Sequence, residues 1–227
     1  MRGAALVSLE KLDGVLIMSD AACGPLHPVA LRGRYVHLLP LSTEHADQLA
    51  VAAVDGSLWQ LWYTAVPSPA AMQDEIESRL ELQSKGISLP FAVIDPASGQ
   101  AVGMTNYLNI DAIDRRVEIG GTWYAKRVQR TPLNTEAKLL LLAHAFDSLG
   151  CIAVEFRTHF FNQQSRRAIE RLGAKLDGIL RNHKRVADGT LRDTCVYSII
   201  ATEWPAVRSH LRWQLERPRD GSPITAL

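Results

Sequence analysis

The stretch "VQRTPLNTEAKLLLL", Val128–Leu142, places a turn of small and polar residues directly before a leucine-rich segment. Thr131 is a favourable N-cap residue and proline is favoured at the first helical position, so the sequence predicts a helix that begins at Pro132. The first turn of such a helix has backbone N–H groups without internal partners, and the peptide dipoles add a partial positive charge. The stretch is therefore either a phosphate site or an ordinary capped helix without a ligand.

A phosphate at this position would have several donors even though the turn contains no glycine. Pro132 removes only one N–H group, and we expect Leu133, Asn134 and Thr135 to present theirs. The side chains of Arg130, Thr131 and Asn134 add further donors. Because the net charge of the chain is only +1, anion binding has to arise from such local groups.

The composition indicates one globular domain with tails, since 47% of the 227 residues are hydrophobic and 22% are charged. There is no basic stripe, which argues against nucleic-acid binding. The cysteines are three in number, widely separated and without a CxxC pair. They are therefore expected to be free thiols in a reducing cytosol, and neither they nor the histidines show the spacing of a metal site.

Neither a signal peptide nor a membrane span is predicted, so we expect a cytoplasmic protein. Charged residues interrupt the first apolar run, and no run reaches the roughly 18–20 apolar residues that a bilayer requires. Met18 is an alternative start to Met1. We assign residues 1–30 to an N-terminal tail of uncertain relevance, 31–216 to a single domain and 217–227 to a C-terminal tail.

Hydrophobic periodicity and turn signals predict a mixed α/β domain with about seven strands. The element order is β, α, α, β, β, β, α, β, α, β, β, α. The predicted strands are residues 34–41, 90–95, 100–110, 115–125, 152–160, 174–185 and 192–201. The predicted helices are residues 43–54, 68–85, 132–149, 162–173 and 203–216.

This order of elements resembles the GNAT superfamily of acyl-CoA-dependent N-acyltransferases. The local sequences "VEIGGTWY", "NTEAKLLLLAHAF", "LGCIAVEFRTHFFNQQSRRAIERLGAKLDGILRNH" and "DGTLRDTCVYSII" resemble its RimJ/RimL-like branch, which acetylates protein N-termini and small amines. The resemblance covers about Leu31–Glu216. It implies a mostly antiparallel sheet flanked by helices and splayed between the family's fourth and fifth strands.

The resemblance also implies where acetyl-CoA binds. The family's phosphate motif, Q/R-x-x-G-x-G/A, falls on residues 129–134, where Gln129 matches and Pro132 and Asn134 replace the small residues. Asn162 matches a family position that contacts the cofactor. The positions expected to bind the cofactor are Gln129, Arg130, Thr131, Leu133, Asn134, Thr135, Asn162 and Ser165.

The catalytic groups are expected on three elements. The resemblance implies that a backbone N–H within residues 120–123 stabilises the oxyanion, and paired glycines in a strand mark either a bulge or simple bending. Glu118 is a candidate base or an ion-pair partner of a basic residue. If the strand alternates regularly, Glu118 shares a face with Gly120, Thr122 and Tyr124, opposite Trp123.

Two further candidates complete the expected site. Ile169 occupies the position of the tyrosine that protonates the thiolate in many family members, whereas Ser165 matches a serine that some RimL-like members use near the sulfur. An imidazole ordinarily titrates near neutral pH, so His183 is a second candidate base, or else a structural histidine. The aromatic residues Trp59, Trp62 and Tyr63 match the family's acceptor-pocket wall, with core packing as the alternative.

These observations predict an N-acetyltransferase that moves an acetyl group from acetyl-CoA to a primary amine. The alternative is a CoA-binding regulatory or interaction module without catalysis, which the absent tyrosine and glycines favour. Pairing through a sheet edge to form a homodimer stays open.

Overall fold

The computed structural model describes residues 26–64, 66–186 and 188–217. In that part of the chain, one eight-stranded sheet has the order β1-β2-β3-β4-β5-β6-β8-β7. The strands are β1 (Leu31–Arg32), β2 (His37–Pro40), β3 (Leu89–Asp95), β4 (Gln100–Asp111), β5 (Arg116–Tyr124), β6 (Ala153–His159), β7 (Lys175–Arg185) and β8 (Leu191–Ile200). The α-helices are α1 (Ala46–Val54), α2 (Met72–Ser84), α3 (Pro132–Ala143), α4 (Gln163–Glu170) and α5 (Trp204–Glu216).

The predicted mixed fold and its element order are confirmed, with one strand more than expected. The additional strand is the two-residue β1, where Leu31 pairs with Leu38. A π-helical turn, His144–Ser148, extends α3 and ends before Gly150, as the sequence predicts. Leu26 and Val29 fall in the segment assigned to the N-terminal tail, yet they pack against the core; Met18 and Cys23 lie outside the described residues.

The sheet is splayed between β5 and β6, which are the fourth and fifth of the strands predicted from the sequence. This is the one parallel pairing in the described sheet, and its register covers only residues 116–118 against 153–155. Beyond Glu118, β5 keeps its antiparallel partner β4 but has no partner on the β6 side. The resulting cleft exposes main-chain groups of β5 that would otherwise be used in the ladder.

A β-bulge in β5 lies directly beside this cleft. Asn106 pairs with Gly120 and Met104 with Trp123, so two residues of β5 oppose Thr105 alone. Gly121 has φ +56, the left-handed conformation that glycine adopts without steric cost. The structure thus confirms that the paired glycines mark a bulge.

The bulge reverses the expected alternation of side chains along β5. Paired residues of antiparallel strands point to the same face, so the β4–β5 register places Glu118, Gly120 and Trp123 on one face. Thr122 and Tyr124 lie on the other face. The expectation that Glu118 shares a face with Thr122 and Tyr124 is wrong, because one inserted residue shifts every side chain after it.

The helices cover these two faces separately. On one, called the α3 face, the Tyr107 hydroxyl donates to the Leu141 carbonyl of α3 at 2.6 Å. On the other, called the α1–α2 face, Arg79 of α2 approaches Gly121, and α1 packs beside α2.

A buried carboxylate attaches α3 to the start of the sheet. Glu136 accepts hydrogen bonds from the backbone N–H groups of Arg34, Tyr35 and Val36 at 2.9, 2.5 and 3.0 Å. The carboxylate fills the space beside Gly33, where an added Cβ would overlap it. Glu136 therefore holds the turn before β2 against the first turns of α3.

We expect Glu136→Gln to lower the free energy of unfolding by about 1–3 kcal/mol, because an amide group presents a donor to backbone donors that need an acceptor. Urea denaturation followed by circular dichroism measures the change. Glu77→Gln is the control, since Glu77 is exposed and bonds only Gln73 within α2. Gly33→Ala should destabilise as well, and equal stability of Glu136→Gln and Glu77→Gln would contradict the assignment.

Candidate active site

The start of α3 has the conformation that the sequence predicts. Thr131 is the N-cap and its hydroxyl accepts from the Leu133 N–H at 3.3 Å, while Pro132 occupies the first helical position. The Thr131 hydroxyl also donates to the Val128 carbonyl at 2.7 Å. Arg130 has φ +60, so a non-glycine residue takes the left-handed conformation before the helix. The turn keeps its shape through Thr131 rather than through glycine.

These contacts divide the predicted phosphate donors into two groups. The proton of Thr131 is donated within the turn, and the buried Thr135 hydroxyl lies 3.5 Å from Arg171. Thr135 is also the fourth residue of α3, so its N–H falls within the helical ladder. The side chains of Arg130 and Asn134 and the backbone N–H of Asn134 are the groups best placed to meet an anion.

The start of α4 lies beside the start of α3. Asn162 caps α4 by accepting from the Ser165 N–H at 3.0 Å. The Gln164 side chain donates to that of Gln129 at 3.4 Å, and the Gln129 amide in turn donates to the Tyr124 carbonyl at 2.9 Å. The structure therefore brings together the two segments that were predicted separately to bind the cofactor, and both lie next to the end of β5.

On the α1–α2 face, the cleft is lined by a set of polar side chains that we call the polar cluster. Its members are Glu118, Arg157, His159, His183, Arg192 and Thr194. Glu118 is buried, accepts from the Asn109 side chain at 2.6 Å and lies 3.5 Å from the Arg157 guanidinium. Desolvation raises the pKa of Glu118, opposed by the nearby Arg157 charge and the Asn109 hydrogen bond. Its ion-pair partner is thus Arg157, whereas Arg116 pairs with Glu155.

His159 is a cluster residue that the sequence reasoning missed. The side chain is buried, and its Nδ1 accepts from the Phe161 N–H at 3.1 Å, which places the proton of the neutral ring on Nε2. Desolvation and the charge of Arg192 lower its pKa, so neutral His159 offers an N–H donor. One feature of the sequence indicates that His159 belongs to this site. It lies two residues after Arg157 on the same strand, and alternation places both side chains on one face.

His183 and Arg192 share a hydroxyl partner on β8. The His183 Nδ1 and the Arg192 Nε each lie 3.1 Å from the Thr194 Oγ1. Desolvation lowers the pKa of His183, and the charges of Lys184, Arg157 and Arg192 add to this effect. The structure therefore brings the predicted His183 and Glu118 to one face, with two arginines among them.

The predicted aromatic wall is only partly assembled around the polar cluster. The Trp62 ring is 5.1 Å from that of His159 in an edge-to-face arrangement and 5.6 Å from that of Tyr63. The exposed fraction of Trp62 is 56%, which excludes simple core packing. Trp59 is also exposed, at 41%.

Lys138 is a second residue that the sequence reasoning missed, and it lies on the α3 face behind the bulge. Its Nζ donates to Thr122 at 2.8 Å and to Thr105 at 3.4 Å, and the two hydroxyls are 2.8 Å apart. Lys138 is buried, and desolvation lowers its pKa to about 7. Lys138 could not be identified from the sequence, where it stands beside a run of leucines. Its partners become apparent only from the register, which shows which residues of β5 face α3.

Neither a membrane-spanning helix nor a metal site occurs in the part of the chain that the structure describes. None of its helices is long and apolar enough to cross a bilayer. No group of His, Cys, Asp and Glu side chains in the same ranges could hold a metal ion.

The chain is similar to acetyltransferases in sequence. The family model described as "Acetyltransferase (GNAT) domain" matches residues 36–175. The chain is 32% identical over 106 residues to the "Putative ribosomal N-acetyltransferase YdaF" of Bacillus subtilis (strain 168), a match that covers 47% of this chain. It spans 57% of the length of that curated relative.

Solved acetyltransferases have the same fold. A GCN5-related N-acetyltransferase from Brucella melitensis is 33% identical with a TM-score of 0.76, covering 88% of this chain and 93% of that one. Mycobacterium smegmatis RimJ, solved in complex with CoA-disulfide, is 22% identical with a TM-score of 0.69 over 85% of this chain and 96% of its own. At that identity, RimJ shows the shared fold only.

We expect Lys138→Met to change how stability depends on pH. The unfolded lysine has a pKa of 10.5 and the folded one about 7, so the unfolded state binds more protons between these values. The wild-type protein should therefore gain stability from about pH 7 to about pH 10, by roughly 1.4 kcal/mol for each unit of pKa difference at most. Lys138→Met should lack this gain.

Urea unfolding of both proteins across this range measures the difference. Lys85→Met provides the control, since Lys85 is exposed directly after the last residue of α2 and its removal should leave the pH profile in place. If stability depends on pH in the same way in the wild type and in Lys138→Met, Lys138 is not a buried amine with a lowered pKa.

Proposed function

Because the chain belongs to the GNAT acetyltransferase family, we propose that it transfers an acetyl group from acetyl-CoA to a primary amine. The observation that carries this proposal is the cleft between β5 and β6, which combines unpaired strand edges, two helix starts and a buried carboxylate. Acetyl-CoA supplies an activated thioester when it is bound. The chain itself has to supply donors for the phosphates, a donor for the oxyanion and a base for the ammonium.

The cofactor-binding part is proposed at the adjoining starts of α3 and α4. The backbone N–H of Asn134 in the first turn of α3 suits a pyrophosphate oxygen, and the Asn134 side chain adds a donor. Arg130 is exposed and provides a charge in the turn. Asn162 and Ser165 belong to the start of α4 on the opposite side, where the Ser165 hydroxyl is the proposed hydrogen-bond donor to the sulfur.

The chemistry is proposed on the α1–α2 face of the cleft. As the amine nitrogen forms its bond to the thioester carbon, the carbon–sulfur bond breaks, the sulfur departs as the CoA thiolate and the amine proton passes to a base. Glu118 is the proposed base, directly or through a water molecule, because its raised pKa matches the task. His183 is the second candidate. A main-chain N–H between Gly120 and Trp123 is the proposed oxyanion donor, held by the bulge.

Glu118→Gln tests this assignment. We expect it to lower kcat by about 10²–10⁴-fold, the usual contribution of a general base, with CoA affinity unchanged. Thiol release from acetyl-CoA with a panel of amines measures turnover, and calorimetry measures CoA binding. Glu44→Gln is the matched control on the surface, and full activity of Glu118→Gln would remove Glu118 from the mechanism.

Asn134→Ala and Thr131→Val separate direct binding from shaping of the turn. We expect Asn134→Ala to weaken CoA binding by a few-fold to tenfold, the scale of one hydrogen bond. Thr131→Val loses the cap and should lower the free energy of unfolding by about 1 kcal/mol. Thr131→Ser retains a capping hydroxyl and should keep the wild-type stability. Calorimetry with CoA and thermal unfolding give the two readouts.

A CoA-binding module without catalysis is the second candidate. The observation in its favour is Ile169, which is buried in the core where many family members carry the tyrosine. Binding of CoA without acetylation of any amine would support the module. Cytoplasmic location and pairing of copies through a sheet edge, where β1 and β7 lie, stay predictions.

A further inference from the structure

Arg192 is the one member of the polar cluster whose charge has no carboxylate partner among the described residues. Its Nε donates to the Thr194 hydroxyl at 3.1 Å, and the side chain is half-buried. No carboxylate oxygen of residues 26–64, 66–186 or 188–217 lies within 4 Å of its guanidinium nitrogens. A partly desolvated arginine keeps its charge and needs acceptors for its outer N–H groups.

The other arginine of the cluster is fully engaged. Arg157 contacts Glu155 at 2.9 Å and Glu118 at 3.5 Å, so both carboxylates that face the cleft are shared with it. The charge of Arg192 acts on Glu118, His159 and His183. Arg192 therefore lies within electrostatic reach of the proposed base without being its ion-pair partner.

The charges around the cleft favour a particular kind of acceptor. Glu118 and Glu155 face Arg157 and Arg192, Arg116 also pairs with Glu155, and Lys184 adds a further positive charge near Glu118. Asp193, whose charge acts on His159, is paired with Arg181. An amine acceptor arrives as an ammonium ion and would increase the positive excess. A carboxylate on the same acceptor would offset it and would fit the planar fork of a guanidinium.

We propose that Arg192 binds a carboxylate of the acceptor, so that the enzyme acetylates amines that carry a carboxylate close to the amino group. This inference rests on the proposed acetyltransferase function. The carboxylate would meet the outer N–H groups of Arg192 while the amine lies towards Glu118. An amino acid and a peptide with an acidic residue beside its N-terminus share this chemistry. A phosphate dianion is disfavoured because Glu118 is close.

Matched acceptor pairs test the proposal. Phenylalanine with phenethylamine and tyrosine with tyramine differ only in the carboxylate, and peptides with Asp or Asn as the second residue form the third pair. Thiol release gives kcat/KM for the wild type, Arg192→Met, Arg192→Lys and Arg185→Met. Arg185 is an exposed control on the same hairpin, where it bonds the Gly189 carbonyl.

We expect the wild type and Arg185→Met to prefer the carboxylate member of at least one pair by about tenfold or more. Arg192→Met should lose this preference, so that its kcat/KM values for the two members of the pair become similar whatever its overall rate, and Arg192→Lys should recover part of the preference. The pair that shows the preference identifies the class of acceptor that carries the carboxylate, either free amino acids or peptides. Turnover without any preference, or a preference retained by Arg192→Met, would overturn the inference.

A binding measurement covers the case in which no amine of the panel turns over. Calorimetry with N-acetylglycine and the CoA-bound protein should detect a carboxylate site in the wild type that is at least about tenfold weaker in Arg192→Met. If the folded protein binds CoA but no carboxylate, the inference about Arg192 is overturned and the proposed acetyltransferase function is not. Failure to bind CoA would instead overturn the proposed function.

Discussion

The short parallel pairing of β5 with β6 is the constraint on which the rest of the site depends. Three residues of each strand pair before the strands separate, and the polar cluster lies beside the opening that follows. Backbone groups at an open strand edge inside a protein need partners, which a bound ligand can supply. The bulge at Gly121 sits on this edge and shifts the alternation of side chains along β5. Because of this one inserted residue, Glu118 faces the polar cluster whereas Thr122 faces α3.

Helix α3 holds this opening through two buried charged residues that are two positions apart. Glu136 bonds three backbone N–H groups before β2, while Lys138 bonds hydroxyls on β4 and β5. Neither residue forms a salt bridge among the described residues. The first turn of α3, which carries the backbone N–H of Asn134, is therefore fixed to the sheet from two directions. That rigidity suits a phosphate site made from backbone groups, because the donors do not have to be ordered when the ligand binds.

Much of the fold was predictable from local patterns. Thr131-Pro132 is compatible with few structures other than a helix start, and it forms one. The Asn162 cap and the bulge at the paired glycines follow from equally local rules. The faces of β5 after Gly120 were predicted incorrectly, because regular alternation does not allow for the residue that the bulge inserts. His159 and Lys138 gave no local signal, since their importance comes from residues on other strands and helices.

The sequence by itself determined the elements, their order and the helix start that suits an anion, because caps, turns and periodicity act over a few residues. Only the tertiary structure decided which side chains meet in the cleft. The partner of Glu118 proved to be Arg157, 39 positions away on β6, whereas the sequence left open which basic residue would pair with Glu118. Long-range register also placed Arg192 among the cluster with its outer N–H groups available. Charges pair by distance in space, and that distance is set when strands far apart in the chain come together.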